Sequence, residues 1–204
     1  MKTYAVRVVV SMGLFTALVS FSALAQDKKH EFVGNTQCKL CHNKPSEGAQ
    51  WTVWKKMEHA KAFEVLSSEK AVALGKELGL EKSPSESAAC LKCHVTGIDE
   101  STLATPAKIK MEEGVQCESC HGPSSDHLVD GKAIRMKKET KVDILANIIR
   151  PDEKTCKTCH NKDNPTWDPT KYTLENGETV GFDYKQAYDK IAHANPKKAL
   201  VKEK

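Results

Sequence analysis

GVQCESCHGPSSDH, residues 114–127, places two cysteines and a histidine at C-x-x-C-H spacing (Cys117, Cys120, His121), and a further histidine, His127, follows six residues later. The chain repeats the first pattern. All eight cysteines fall in four pairs, each followed at once by histidine: Cys38 and Cys41 before His42, Cys90 and Cys93 before His94, Cys117 and Cys120 before His121, Cys156 and Cys159 before His160. C-x-x-C-H is the attachment signature of c-type haem. Two thiols about one helical turn apart can add across the two vinyl groups of one porphyrin edge, which brings the next residue's imidazole under the iron.

Competing chemistries explain the cysteines but not the histidines. Two zinc sites would need four thiolates each and no histidine at the fifth position. Disulfides suit an exported chain equally well without the histidines, and a thioredoxin-like pair would need a βαβ context that is absent. With 8 histidines in 204 residues, four such placements by chance are on the order of a few in a million. The motif count therefore predicts four covalent haem c groups, with His42, His94, His121 and His160 as proximal iron ligands.

Residues 1–25 read as a cleaved signal peptide. Lys2 and Arg7 precede an apolar run of about 17 residues broken by Ser11, Gly13, Thr16, Ser20 and Ser22, and Ala23-Leu24-Ala25 forms an A-x-A cleavage site. Export to the periplasm, or beyond it, is the expectation, with no membrane span left after cleavage. Residues 26–204 read as one domain. Loss of Lys2 and Arg7 leaves that domain two cations in excess over its 27 acidic residues. This is no footprint for nucleic acid, since lysines and glutamates are interspersed. Eight haem propionates would make the loaded protein mildly acidic.

Apolar payload is thin. Of 12 aromatic residues, three (Tyr4, Phe15, Phe21) belong to the leader. A chain of this size normally offsets its backbone entropy with more. Four porphyrins wrapped by polypeptide would supply the difference. The expected fold is mainly α with much irregular structure, a compact multihaem cytochrome c built around four stacked haems.

Four histidines lie outside the motifs, and four irons can use four distal ligands. His59 sits in WTVWKKMEHAKAFEVL (51–66), which reads as a helix with Ala62, Phe63 and Leu66 on the same face. His193 closes FDYKQAYDKIAH (182–193), a helix with Asp183 as cap and Asn195-Pro196 as stop. His127 follows the helix-breaking Gly122-Pro123 and a turn over Ser124, Ser125 and Asp126. Six residues span at most about 20 Å, so His127 is better placed to reach a neighbouring haem than to circle its own. His30 lies close to the mature N-terminus, where it could serve its own subunit, serve another, or do nothing. Met57, Met111 and Met136 are alternative ligands that read more simply as packing residues.

HEFVGNTQCKLCH (30–42), Trp51 with HAKAF (59–63), ACLKCHVTG (89–97), GVQCESCHGPSSDH, PDEKTCKTCHN (151–161) and FDYKQAYDKIAHANP (182–196) run in an order that resembles the tetrahaem cytochrome c-554 family. The resemblance implies a mostly helical periplasmic electron-transfer protein with closely stacked haem pairs. It further implies that His59 stands opposite His121, that His127 stands opposite His160, and that the haem of His94 is open. Residues 95–116 hold no histidine, which leaves His193 or His30 for the haem of His42. Ser83-Pro84-Ser85-Glu86 reads as a capping box leading into Cys90, Lys141–Arg150 as a helix stopped by Pro151, and YTLENGETV (172–180) as a hairpin around Asn176-Gly177.

Single-electron shuttling between redox proteins of the periplasm or cell envelope is the function these features favour. It needs no acid, base or nucleophile, and the sequence offers no such constellation. A nitric oxide or nitrite type reductase would need one five-coordinate haem. A filament-forming subunit, a case of self-association, would carry a ligand such as His30 across a subunit boundary.

Overall fold

The computed structural model of the protein describes residues 30–138 and 143–194. The predicted leader, the first residues of the 141–150 segment and the Asn195-Pro196 stop lie outside them. Eight short α-helices carry the described chain: α1 (Asn35–His42), α2 (Gln50–Trp54), α3 (Glu69–Glu77), α4 (Ala88–His94), α5 (Cys117–His121), α6 (Ser125–Arg135), α7 (Glu153–Lys157) and α8 (Tyr184–Ile191). Tyr172–Thr173 (β1) and Thr179–Val180 (β2) pair antiparallel as a hairpin. The mainly α, largely irregular architecture expected from the sequence is what the chain adopts. No helix among the described residues is long and apolar enough to cross a membrane.

Local capping explains several boundaries. Ser68, Asp152 and Asp183 each accept the backbone N–H three residues on, starting α3, α7 and α8. Asn176-Gly177 turns the hairpin as predicted, with Gly177 at φ +85°. The Ser83/Glu86 capping box takes another form. The two side chains bond each other at 2.8 Å over a single 3₁₀ turn, Pro84–Glu86, and α4 starts two residues later.

Three helical expectations change. WTVWKKMEHAKAFEVL does not run as one helix; α2 ends at Trp54, Met57 is extended, and 3₁₀ turns follow at Glu58–Lys61 and Glu64–Ser67. Within these turns the His59 carbonyl accepts both Ala62 N–H at 3.2 Å and, from another segment, Val115 N–H at 3.0 Å. Ser125 and Asp126, expected in a turn, instead begin α6, so His127 is helical. The described part of 141–150 is a chain of turns rather than a helix. Asp143 starts them by accepting Leu145 N–H on its side chain.

Apolar burial is sparse. Val33, Leu66, Leu91, Val95, Ile109 and Tyr172 are the buried hydrophobic residues among those described. Leu66, Leu91 and Val95 form one cluster, with Phe63, Cys90, Ile98, Leu103 and Met111 packed around it. Beside it runs a buried polar network. Thr96 Oγ1 accepts Gln116 N–H at 2.7 Å, Gln116 Oε1 accepts Asn35 N–H at 3.3 Å, and Asn35 Oδ1 accepts Cys117 N–H at 3.2 Å. Buried polar groups are tolerated when partnered in this way. The network ties together the segments that carry the first three C-x-x-C-H motifs.

Candidate haem centres

The motif helices set the thiols and imidazoles. α1, α4 and α5 each end on the motif histidine, and His160 follows α7, where its N–H bonds the Cys156 carbonyl at 3.0 Å. The helical turn brings both cysteines of each motif to one side, as attachment to one porphyrin edge requires. No disulfide joins any of the eight, and all are partly buried: Cys38, Cys41, Cys90, Cys93, Cys117, Cys120, Cys156 and Cys159.

Thiols of different motifs also meet. Cys38 lies beside Cys117, and Cys93 beside Cys159, while Cys120 lies near Cys156 and Cys159. The first and third attachment points are thus neighbours, as are the second and fourth. Cys41 completes the first motif. It sits in the last turn of α1, directly before His42, so its place in the site rests on its spacing from Cys38 alone.

Three motif histidines each face a histidine from elsewhere. His42 and His127 rings stand 6.1 Å apart at 17°, His160 and His59 6.0 Å apart at 75°, and His121 and His193 5.9 Å apart at 40°. A metal held by two imidazole nitrogens at ~2 Å each separates the ring centroids by roughly 6 Å. The three pairs match that distance. Partners differ from those the family resemblance implied: His59 faces His160 rather than His121, and His127 faces His42 rather than His160. The cause is helix packing that spacing does not encode. Arg135 donates to the Leu40 carbonyl at 2.9 Å and Lys132 to Gln37 at 3.4 Å, docking α6 on α1 and carrying His127 to His42.

Hydrogen bonds orient the rings. His121 Nδ1 donates to the Ile149 carbonyl at 2.8 Å, His127 Nδ1 to the Ile144 carbonyl at 2.9 Å, His42 Nδ1 to Gln50 Oε1 at 3.2 Å, and His94 Nδ1 to the Ala62 carbonyl. Each bond fixes the tautomer that leaves Nε2 free for iron and raises its basicity. Burial pushes His42, His59, His121, His160 and His193 below the usual imidazole value. They are therefore neutral at neutral pH, the state a metal needs. The donor set fits haem iron.

These acceptors are what sequence reading missed. Residues 143–149 stay unwound, and their carbonyls at Ile144 and Ile149 serve two imidazoles at once. Gln50 bridges His42 to the Ala194 carbonyl at 2.7 Å, next to His193. Backbone carbonyls leave no signature in residue type.

His94 and His30 stand apart. Among the described residues no imidazole faces His94. His30 is half exposed and lies 3.8 Å from Asp126. Met111 packs in the apolar cluster around Leu91 and Val95, and Met136 is exposed.

One glycine conditions the His59 segment. Gly114, at φ +63°, lets its backbone pass so close that a Cβ there would lie 2.8 Å from the His59 carbonyl oxygen and 3.1 Å from Ala62 N. Gly114→Ala should cost about 1–3 kcal/mol in backbone strain before any clash. It should also displace His59. A lower melting temperature of the oxidised protein and an altered low-spin signal would register both effects; unchanged values would refute them.

Known proteins resemble this chain in sequence. Residues 37–122 match the family model described as cytochrome c554 and c-prime. The cytochrome c-554 of Nitrosomonas europaea is 34% identical over 175 residues, covering 79% of this chain and 70% of that protein. A solved structure, the reduced state of cytochrome c554 from Nitrosomonas europaea, aligns with 85% of this chain and 83% of its own at 24% identity, with a TM-score of 0.47. On that shared sequence, with four C-x-x-C-H motifs and paired imidazoles, the chain belongs to the cytochrome c554 family and is a c-type cytochrome that carries electrons on covalently bound haem c.

Proposed function

We propose that the mature chain, residues 26–204, carries four haems c and shuttles single electrons between redox proteins of the periplasm. Cys38 with Cys41, Cys90 with Cys93, Cys117 with Cys120 and Cys156 with Cys159 attach the four groups. His42 with His127, His121 with His193, and His160 with His59 hold three irons between paired imidazoles. When bound, the haems supply reversible one-electron chemistry. The chain binds them, orients the imidazoles through Nδ1, and keeps substrate away from the paired irons. The observation that carries this reading is the set of three imidazole pairs at 5.9–6.1 Å.

Grouping of the thiols supports a continuous relay. Cys38 with Cys117 and Cys93 with Cys159 support two close haem pairs, and Cys120 beside Cys156 and Cys159 brings one pair near the other. Such a chain needs no proton donor or nucleophile.

His94 favours a second reading at one site. With no imidazole facing it among the described residues, its iron would accept a small exogenous ligand, as reductase chemistry requires. The filament reading finds less support, because His30, the residue it would use across a boundary, sits beside Asp126 of its own chain.

Pyridine haemochrome analysis and intact mass of protein purified from the periplasm test the proposal. Four haems per chain on a polypeptide starting at Gln26, with a redox titration that takes up four electrons, is the expected result. Fewer haems, or a retained leader, would overturn it.

A further inference from the structure

Glu118 occupies the second position of the third C-x-x-C-H motif, a place with no demand from attachment chemistry. It is nonetheless only 3% exposed. Its carboxylate accepts Val33 N–H on both oxygens at 3.0 Å, Gly34 N–H at 2.7 Å and Ser124 N–H at 2.9 Å. These partners are all backbone donors, which suits a carboxylate acting only as acceptor. Among the described residues no cationic side chain forms an ion pair with it.

We propose that Glu118 is a positioning residue for the electron carrier, clasping the first haem-attachment segment to the third and holding the potentials of those two haems low. The inference rests on the four-haem reading above. Val33 and Gly34 lead directly into α1, so the clasp joins the start of one motif helix to the body of another. Gly34 makes the approach possible: at φ +76° its backbone lies against Lys108, where a Cβ would run into the carbonyl oxygen. Cys38 Sγ lies 3.6 Å from the Gly34 carbonyl oxygen and beside Cys117. Glu118 thus stands beside the contact between the attachment points of the two haems.

Charge adds to geometry. A fixed negative charge near an iron favours the ferric over the ferrous state and so lowers the potential. At ~10 Å and an effective dielectric of ~20, one charge changes such an equilibrium about tenfold. A haem held by Cys38 and Cys41 and one held by Cys117 and Cys120 would be the two attached nearest Glu118 and should feel it most. The fourth haem, on Cys156 and Cys159, should feel less.

Two variants separate charge from shape, and haem content is measured first in the native protein and in both. A native chain with fewer than four haems sinks the parent reading, independently of Glu118. Glu118→Gln keeps the side chain's size but removes its charge. EPR-monitored redox titration should show the two flanking haems moved upward by about tenfold in the redox equilibrium, ~59 mV for a one-electron couple, with the haem of His160 moved less. Glu118→Asp keeps the charge but shortens the clasp; its potentials should stay near native while its melting temperature falls. Potentials unmoved in Glu118→Gln, or moved equally at all four haems in both variants, would overturn the proposal. Should Glu118→Gln fail to mature, redox-difference infrared spectra decide on protein grown with carboxyl-labelled glutamate. A labelled carboxylate band that follows haem reduction in native protein and vanishes in Glu118→Asp supports the proposal. Its absence in native protein overturns it.

Discussion

Chain produced without haem attachment, either in a host lacking the attachment machinery or with all eight cysteines replaced by serine, is expected to be unfolded. Far-UV circular dichroism should show little helix and no cooperative melt, against a cooperative transition in the loaded protein. The whole stability of an ordinary domain, about 5–15 kcal/mol, is at stake. Three features make the polypeptide insufficient alone. Its described α-helices run from 5 to 11 residues, below the ~12–15 residues at which an isolated helix becomes even marginal in water. The described sheet is two residues per strand. The buried apolar set among the described residues is six side chains, Leu66, Leu91 and Val95 at its centre, little against the entropy of ordering the backbone. Loss of a single site should cost less. Cys90→Ser with Cys93→Ser removes the anchor beside that apolar cluster and should lower the melting temperature without abolishing the transition. A haem-free chain with native helix content and a sharp melt would refute the expectation.

What the sequence made legible follows from the kind of signal each feature leaves. Attachment chemistry demands fixed residue types at fixed spacing, so the four motifs could be read directly. Asp183 before an apolar stripe, and Asn176-Gly177 between short β-prone runs, encode α8 and the hairpin locally, and both form. Periodicity misled around His59. The apolar stripe is real, but α2 ends at Trp54 and Met57 is extended, while the His59 carbonyl accepts Val115 N–H, a tertiary contact that local propensity does not encode. It misled again at 143–149, where Ile144 and Ile149 give up helical hydrogen bonds so that their carbonyls can orient His127 and His121. The partner of each distal histidine was equally hidden, because it depends on how α6 docks against α1 through Arg135 and Lys132. Glu118 left no trace, since a buried glutamate and a surface one look alike in a lysine- and glutamate-rich chain.

On the four-haem proposal, the irons should not behave alike. In the oxidised protein, three low-spin EPR signals and one high-spin signal are expected. Axial imidazoles lying in nearly one plane split the iron orbitals they overlap, whereas crossed rings leave them close in energy. The His42/His127 pair at 17° should therefore give a rhombic signal, and the His59/His160 pair at 75° a strongly anisotropic one. After reduction, carbon monoxide should bind one haem in four, that of His94, because no imidazole among the described residues lies across from it. His59→Ala should then add a second high-spin haem and double the uptake, removing the ring opposite His160. Replacement of His30 should change neither, since it lies beside Asp126 and faces no motif histidine. The Ala62 carbonyl makes the His59 experiment more informative. It accepts the Nδ1 hydrogen of His94 three residues from His59, so on that proposal a short segment would supply the distal ligand of one haem and orient the proximal ligand of its neighbour. His59→Ala should consequently shift the potential of the His94 haem as well, through a loosened acceptor. Four low-spin signals and no carbon monoxide uptake in the native protein would refute the open site. A thioether charge-transfer band in the optical spectrum of the oxidised protein would point instead to Met111, the methionine packed against the Leu91–Val95 cluster of the same motif.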